Sequence, residues 1–217
     1  MPKFAKLQGE RVRAFEKVAL DVAGHIDIKQ GRSTVKRYAL IISDLTYRGL
    51  HNEDLTKLDT ASFIQALERF SARRGRPTYI RCDNGTNFKS GKRELEELLG
   101  NLDKDLLYEK YPTITWDFAK PMAPDTNGII ERIVGLVKNG MKAIITTGLL
   151  TEEEFRTVLT RVEGLINGRP LTHVGSHPRD LKPITPNDFY AGTTDINLIP
   201  VVHDQENNQL FSYRERQ

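Results

Sequence analysis

The sequence has little cysteine, no long apolar run and little net charge. Its 217 residues include a single cysteine, Cys82, so an internal disulfide cannot form and a zinc site built from several cysteines is excluded. No stretch approaches the roughly 20 apolar residues of a membrane span, and the N-terminal segment lacks the apolar core of a signal peptide. We therefore expect an intracellular protein that does not associate with a membrane.

The charge balance permits a nucleic-acid partner without requiring one. Lysine and arginine number 32 against 29 acidic residues, which gives a net charge of +3. A balance this close to neutral leaves the position of the cations as the informative feature. The apolar content of 38% suits one α/β domain with a sizeable core.

Alternating β-formers predict three strands in the first quarter of the chain, at 15–29, 37–48 and 50–55. A helix follows from Asp59 or Thr60 to Ala72, because apolar residues recur there at helical spacing. The remaining predicted elements are a strand at 78–82, a helix near 91–100, a strand at 114–118, a polar loop at 120–128, a helix from about Gly128 to Ile145 and a last helix that begins with a Thr151–Glu154 capping box.

This order, βββ-α-β-α-β-α-α, predicts an α/β fold with a mixed five-stranded sheet flanked by helices. It resembles the ribonuclease H-like architecture. We assign residues 1–14 to an N-terminal lead-in, 15–189 to the core domain and 190–217 to a C-terminal tail.

Three acidic residues stand out by their positions. Asp21 lies within the apolar first strand, where a carboxylate is costly unless it is paired or bound to a cation. Asp83 follows the fourth strand, and Glu131 lies in the first turns of the long helix. Ligands of open α/β sheets bind at strand ends and helix N-termini, so these acids can meet if the first and fourth strands are neighbours.

Three converging carboxylates would repel one another and partly protonate unless a cation joined them. Two divalent ions about 4 Å apart, shared by carboxylates, can promote phosphoryl transfer, and all-oxygen ligands suit Mg²⁺. Each acid alone also has a structural explanation, since Asp-Asn-Gly is a common turn and a glutamate near a helix start favours the helix dipole. Their combination favours a metal site.

The long helix supports a nucleic-acid substrate. Lys138 and Lys142 lie within about 20° of Glu131 around the helix axis, whereas the apolar residues form a separate stripe (Ile130, Ile133, Val137, Met141 and Ile144). Such a charged face is most often only a solvated surface. Because this face also carries a proposed metal ligand, we favour an interpretation in which Lys138 and Lys142 bind DNA.

Several motifs resemble a known family. The segments ARRGRPTYIRCDNGTNF, KPMAPDTNGIIERIVGLVKNGMKAI, INGRPLT and PITPNDF resemble the integrase catalytic core of retroelements, and in particular the integrase of BEL/Pao-type long-terminal-repeat retrotransposons. The similarity runs from about Val12 to Phe189. Positions 83 and 131 leave 47 residues between them, a spacing typical of this branch.

The resemblance implies a D,D,E integrase on a ribonuclease H-like fold. Asp21, Asp83 and Glu131 then correspond to the catalytic acids, which bind two Mg²⁺ or Mn²⁺ ions. Enzymes of this family trim the 3′ ends of element DNA with water and then use each new 3′-hydroxyl to attack a target phosphodiester. The implied partners are the element ends and target DNA, the implied assembly is a homodimer or higher oligomer, and the implied site of action is the nucleus.

The resemblance also implies contacts with DNA. Asn84 would support the active site, Thr86 would border the target DNA, and Asn127 would lie in a mobile loop near the element end. Lys138 matches a family lysine near that end. Gly135 departs from the lysine of retroviral enzymes, so no phosphate contact is carried over to it.

Two alternatives stay open at this point. One is a ribonuclease H-like nuclease that hydrolyses DNA without joining it, and the other is a domesticated module that binds DNA or protein with little or no catalysis. The sequence lacks a His-His-Cys-Cys zinc domain, and about 28 residues follow Phe189, so we expect an isolated catalytic core.

Overall fold

The computed structural model describes residues 12–82, 92–118, 124–145, 148–172 and 182–190. For residues 92–93 and 124–131 it describes the backbone only.

A mixed sheet of six strands forms the centre of the molecule. The strands are β1 (Lys17–Gln30), β2 (Ser33–Asp44), β3 (Leu50–Leu55), β4 (Tyr79–Cys82), β5 (Thr115–Asp117) and β6 (Leu150–Thr151). Their order is β3-β2-β1-β4-β5, and β6 pairs with the far end of β1. The β1–β2 and β2–β3 pairs are antiparallel, whereas β4 and β6 lie parallel to β1, and β5 lies parallel to β4. The predicted ribonuclease H-like α/β class is confirmed, with one strand more than expected.

Five helices flank the sheet. They are α1 (Thr60–Arg74), α2 (Lys92–Asn101), α3 (Lys104–Lys110), α4 (Pro124–Ile144) and α5 (Glu152–Asn167), and a short 3-10 helix follows at Pro186–Phe189. The sequence did not predict α3, the 3-10 helix or β6, because segments of two to seven residues are too short to show a clear period. None of the helices within the described ranges has the length and apolar content needed to cross a membrane.

The helix α4 corrects one prediction. We expected a polar loop at 120–128 and a helix from about Gly128, but the helix begins at Pro124. Proline is favourable at the first position of a helix, since its φ is already helical and no hydrogen-bond donor is lost there. Asn127, which we expected in a mobile loop, therefore lies in the first turn of α4.

Alternation along β1 builds two core layers. Leu20 and Val22 pack in the layer covered by α1 and α2. Ala19 and Ala23 pack in the opposite layer with the buried residues of α4 and α5. The predicted capping box of α5 is confirmed: the hydroxyl of Thr151 accepts from the N–H of Glu154. Each face of the sheet is thus covered by its own helical layer.

Both ends of the described chain pack onto the core. Val12 is buried, and its carbonyl accepts a hydrogen bond from Tyr47 Oη at 2.9 Å. The ring of Tyr190 packs against Phe15 with centroids 4.7 Å apart. The domain boundaries at 14/15 and 189/190 stay predictions. Val12 lies before the first boundary and Tyr190 lies after the second, and both residues pack against the core.

Candidate active site

The first predicted acid, Asp21, lies in the interior strand β1. Successive residues of a strand point to opposite faces of the sheet, so Asp21 shares a face with Ala19 and Ala23. That face is covered by α4, whose Ile133 and Val137 belong to the same core layer. The structure therefore places the carboxylate of Asp21 on the side of the sheet that carries the predicted Glu131 helix.

The environment of Asp21 is partly apolar and only partly accessible to water. Its neighbours Leu20 and Val22 are buried, whereas Asp21 itself is half-buried. One carboxylate oxygen, Oδ1, accepts a hydrogen bond from the backbone N–H of Val22 at 2.7 Å. This bond fixes the direction of a carboxylate that is retained in a strand of otherwise apolar residues.

The strand β4 ends beside Asp21. The parallel register pairs Leu20 with Cys82, so the predicted adjacency of the first and fourth strands is confirmed. Asp83, the next residue in the sequence, lies outside the described residues. Arg81, two residues before Asp83, pairs with Ala19 and lies on the same face as Asp21. The chain therefore leaves β4 next to the position of Asp21.

The third acid, Glu131, belongs to α4 by its backbone, and its side chain lies outside the described residues. The apolar stripe predicted for this helix is confirmed where its side chains are described: Ile133, Val137 and Met141 are buried, and Ile144 packs at the margin of the core. Ile130 also lies outside the described side chains.

The predicted DNA-binding residues are described only in part. On α4, Lys138 is half-buried and Lys142 is exposed. Asn84, Thr86 and the side chain of Asn127 lie outside the described residues. Among the side chains that the structure describes, no group of three or more His, Cys, Asp or Glu could hold a metal ion. Two of the three predicted ligands, Asp83 and Glu131, fall outside that search.

A polar cluster near Asp21 was not predicted. Arg81 of β4 pairs with Asp117 of β5 in the parallel register, and the hydroxyl of Tyr79 donates to Asp117 Oδ2. Burial, followed by the bond to Asp117, raises the pKa of Tyr79 to about 12. Arg81 is buried. Because side chains alternate between the two faces of a strand, the sequence could have indicated that Arg81, two residues before Asp83, is a charged residue on this face.

Cys82 and Trp116 are core residues, and Phe118 packs against the core. Cys82 is buried in the α1–α2 layer, and burial raises the pKa of its thiol to about 12. The ring of Trp116 packs in the same layer and stacks on Phe118, with centroids 5.9 Å apart. Their environments assign packing roles to all three.

Asp44 shows what a structural acid at a strand end looks like in this fold. Its two oxygens accept hydrogen bonds from the backbone N–H groups of Phe15 (2.9 Å), Thr46 (2.7 Å) and Tyr47 (3.2 Å). Burial raises its pKa, and these donors oppose the rise. Asp44 therefore holds the β2–β3 turn, and it lies where β2 leaves the sheet beside the start of β1.

The arginines in the C-terminal half of α1 pair with acids of β3 and α5. Arg69 Nε lies 2.7 Å from the carboxylate of Glu53, Arg73 forms an ion pair with the same carboxylate, and Arg74 pairs with Glu163 of α5. The side chain of Glu53 is 1% exposed. These cations neutralise internal acids and join α1 to β3 and α5, because a buried carboxylate must be paired.

His51 lies at the centre of this ion-pair cluster. Its Nε2 is 2.8 Å from Glu53 Oε1, and its Nδ1 is 3.4 Å from Glu163 Oε1. Burial lowers the pKa of His51, but the hydrogen bonds and charges of Glu163 and Glu53 outweigh burial and raise the pKa overall. The sequence did not predict this cluster. The segment with His51 and Glu53 and the helix with Glu163 are far apart in the sequence, with 110 residues between positions 52 and 163.

No family model matches the chain, and no curated protein matches it. Solved structures do. A chain in the structure of the simian T-cell lymphotropic virus intasome in complex with PP2A regulatory subunit B56 gamma is 17% identical, with a TM-score of 0.48. The match covers 88% of this chain and 59% of that chain, so this chain spans less than two thirds of it.

Two further similar structures are catalytic cores of HTLV-2 integrase in complex with magnesium. The trimeric form is 16% identical, with a TM-score of 0.46, and the match covers 76% of this chain and 93% of that chain. The dimeric form is 18% identical, with a TM-score of 0.45 and coverage of 77% and 94%.

Proposed function

We propose that this chain is the catalytic core of a retroelement integrase of the BEL/Pao type. In this proposal it carries out metal-dependent 3′-end processing of element DNA and strand transfer into target DNA. The proposal places its site of action in the nucleus and its assembly as a homodimer or higher oligomer. It combines the sequence motifs with the position of the first acid in the sheet.

One observation carries the proposal. Asp21 is retained in the interior strand of the sheet, on the face covered by α4 and beside the end of β4. The Asp-Asn-Gly motif follows β4 directly, and Glu131 belongs to α4. A carboxylate in an interior strand is costly unless it is paired, hydrogen-bonded or bound to a cation, and this one lies on the face covered by the helix that contains Glu131.

The residues present fit a divalent metal. The proposed ligands, Asp21, Asp83 and Glu131, are all carboxylates, and hard oxygen donors are those that Mg²⁺ and Mn²⁺ bind. Asp21 retains partial access to water, which a metal that keeps water ligands requires. When bound, two such ions would neutralise the attacking and leaving oxygens of an in-line phosphoryl transfer.

The protein's own contribution to the reaction is position. The Val22 N–H holds one oxygen of Asp21, so its carboxylate is oriented before substrate arrives. The packing of Ile133, Val137 and Met141 fixes the rotation of α4, the helix that contains Glu131, about its axis. In the proposed reaction no covalent protein intermediate forms, and the 3′-hydroxyl or water is the nucleophile.

The proposed DNA contacts follow from the same helix and the same loop. Asn84 and Thr86 would lie beside the reacting phosphodiester, and Asn127 would face the element end from the first turn of α4. Lys142 is exposed and Lys138 is half-buried on α4. A cation about two or three turns from Glu131 is placed to bind phosphates that flank the reacting one.

The test supplies a pre-trimmed element-end duplex, a supercoiled target plasmid and Mg²⁺ or Mn²⁺. We expect joined products from the wild-type chain and their loss, by at least 100-fold, in Asp21→Asn, Asp83→Asn and Glu131→Gln. Glu109→Gln is the control, because Glu109 is an exposed acid of α3, away from the three proposed ligands and from residues 24–37. It should join DNA as the wild type does.

The products separate the proposal from its alternatives. Metal-dependent nicking without joined products would identify a nuclease of the same fold. Binding of DNA with neither product, under conditions in which the thermal unfolding midpoint is unchanged, would identify a non-catalytic module. Joined products from Asp21→Asn would contradict the proposed mechanism.

A further inference from the structure

The β1–β2 hairpin extends well beyond the rest of the sheet. The pairing of β1 with β4 ends at Leu20 and Cys82, but β1 continues for ten more residues to Gln30, paired with β2. The pairing of β2 with β3 ends at Tyr38 and Leu55, so from residue 24 onward β1 and β2 extend beyond both β3 and β4. At about 3.3 Å per residue, residues 24–30 of β1 span about 23 Å. Because β1 and β4 are parallel, this extension projects from the edge of the sheet at which Asp21 lies.

The extension, residues 24–37, is defined by a register shift in β1 and by a tight turn. The shift lies between Ala23 and Ile26 and exchanges the two faces of the strand. Before the shift the odd-numbered residues of β1 face the α4–α5 layer, whereas after it the even-numbered Ile28 is buried there. Gly31 forms the turn with a φ of 61°, a conformation that favours glycine. We call residues 24–37 the β-ribbon.

The β-ribbon is held in place on one side. Leu150 of β6 pairs with Ile28 in parallel register, and both are buried. Arg37 Nη2 lies 3.2 Å from Glu152 Oε2 at the start of α5. These contacts fix the direction of the β-ribbon relative to α5, so its far end keeps a defined position.

The free side and the turn of the β-ribbon carry cations. Lys29, Arg32 and Lys36 are exposed, and none of the three side chains has a hydrogen bond or an ion pair within the part of the chain that the structure describes. The one acid among the exposed residues of the β-ribbon is Asp27, which pairs with Lys36 in the strand register. The exposed surface therefore has an excess of positive charge at the end farthest from the core.

We infer that the β-ribbon is a DNA-binding arm whose Lys29, Arg32 and Lys36 contact the phosphates of duplex DNA that extends away from the reacting phosphodiester. The inference rests on the proposed function for the position of the DNA. The proposed partner of the β-ribbon is duplex DNA, because exposed cations on a rigid two-stranded element complement a regular row of phosphates.

The length of the β-ribbon sets where the contact falls. Lys29 lies eight residues beyond Asp21, which corresponds to about 26 Å along the strand. At 3.4 Å per base pair, that distance spans about 8 base pairs. A duplex that ends closer than this to the reacting phosphodiester cannot reach the three cations.

The experiment measures DNA binding in EDTA, so that it does not depend on catalysis. The affinity of a fluorescent 30-base-pair duplex is determined by anisotropy at several salt concentrations for the variant K29Q/R32Q/K36Q. A control variant, R48Q/R76Q/K110Q, removes three cations near the opposite edge of the sheet, where β1, β4 and β5 begin. Thermal midpoints verify that both variants are folded.

We expect at least tenfold weaker binding for K29Q/R32Q/K36Q and less than a twofold change for the control. The slope of log affinity against log salt concentration should be smaller in magnitude by about 2 to 3 for K29Q/R32Q/K36Q, because each lost phosphate contact removes about 0.9. The charge-conserving variant K29R/R32K/K36R should bind as the wild type does. A duplex with only 5 base pairs beyond the reacting position should show no difference between K29Q/R32Q/K36Q and wild type.

Equal losses in the two glutamine variants, a loss below twofold in K29Q/R32Q/K36Q, or no binding by the wild type would overturn the inference. Its failure is distinct from failure of the proposed function. If the chain joins DNA but its DNA binding does not depend on the β-ribbon, the proposed function stands and the inference fails. If DNA binding depends on the β-ribbon but no joined product forms, the inference stands and the proposed function fails.

Discussion

The side chain of Asn167 pairs with both backbone polar groups of Leu50. Its Oδ1 accepts from the Leu50 N–H at 2.8 Å, and its Nδ2 donates to the Leu50 carbonyl at 2.7 Å. Asn167 ends α5, and Leu50 begins β3, the edge strand of the sheet. The amide of Asn167 thus takes the place of a peptide group on a neighbouring strand.

Other side chains continue this protection along β3. The N–H of Asn52 donates to Glu163 of α5 at 2.9 Å, and the carbonyl of Asp54 accepts from Arg69 of α1 at 2.7 Å. An edge strand with free backbone groups can pair with another chain. In this protein α1 and α5 occupy that edge with their side chains, which gives the INGRPLT motif a structural role.

We predict that Asn167→Ala destabilises the fold by about 3 kcal/mol, since it removes two buried hydrogen bonds and leaves a buried donor and acceptor unpaired. Urea unfolding measures the loss. Asn139→Ala, at an exposed position of α4, should change the free energy of unfolding by less than about 0.5 kcal/mol. Equal effects of the two substitutions would show that the edge contact is not important for stability.

Gly49 leaves the space that Tyr190 fills. A Cβ at position 49 would lie 1.2 Å from Tyr190 Oη, so Gly49→Ala must displace the ring. We expect a loss of about 2 kcal/mol from this overpacking, and a much smaller loss when Tyr190→Ala is already present. A double-mutant cycle of unfolding free energies measures the coupling. Additive effects would contradict the packing of Tyr190 against Gly49.

The His51 cluster predicts a loss of stability at alkaline pH. The pKa of His51 is raised in the folded state, so its contribution is complete below the unfolded value of about 6.5 and is lost as the pH rises through the folded pKa. Unfolding free energies measured from pH 6 to 9 should fall for the wild type and fall less for His51→Gln. Identical pH profiles for the two proteins would contradict a charged His51.

The partner acid predicts the opposite behaviour at low pH. Burial raises the pKa of Glu163, but His51, Asn52 and Arg74 together lower it below its ordinary value. Its contribution is therefore present above about pH 4.5 and lost as the pH falls through the folded pKa. Glu163→Gln should flatten the stability profile below pH 4.5 relative to the wild type.

Cys82 reports on the end of β4 beside Asp83. Its thiol is buried and its pKa is raised to about 12, and thiolates are the species that react with disulfide reagents. We predict that labelling by a chromogenic disulfide at pH 8 is slow in the folded chain and fast in urea. Rapid labelling of the folded chain would show that β4 does not stay paired with β1 at this end.

Local patterns predicted the elements that have a clear start and a clear period. Asp59 caps α1 by accepting from the N–H of Ser62, and Thr151 caps α5, both at the predicted residues. Alternating β-formers predicted the strand that contains Asp21, and the structure places Asp21 within β1. These features depend on residues within a few positions of one another.

Interactions between distant segments could not be predicted. The spacing of Arg69 and Arg73 places them on one face of α1, but nothing in the sequence indicates that Glu53 and Glu163 lie opposite them. The strand β6 forms only because β1 continues far enough to pair with Leu150. The three acids of the proposed site stay predictions from motifs, whereas the buried ion pairs of Glu53 and Glu163 could be found only from the fold.

The most direct test of the central claim is the anomalous diffraction of Mn²⁺ in crystals of the chain. We predict Mn²⁺ bound by the carboxylates of Asp21, Asp83 and Glu131, with two ions about 4 Å apart once a DNA end is present, and loss of the signal in Asp21→Asn crystals. An anomalous map without a peak at Asp21, or with these carboxylates too far apart to share an ion, would contradict the account.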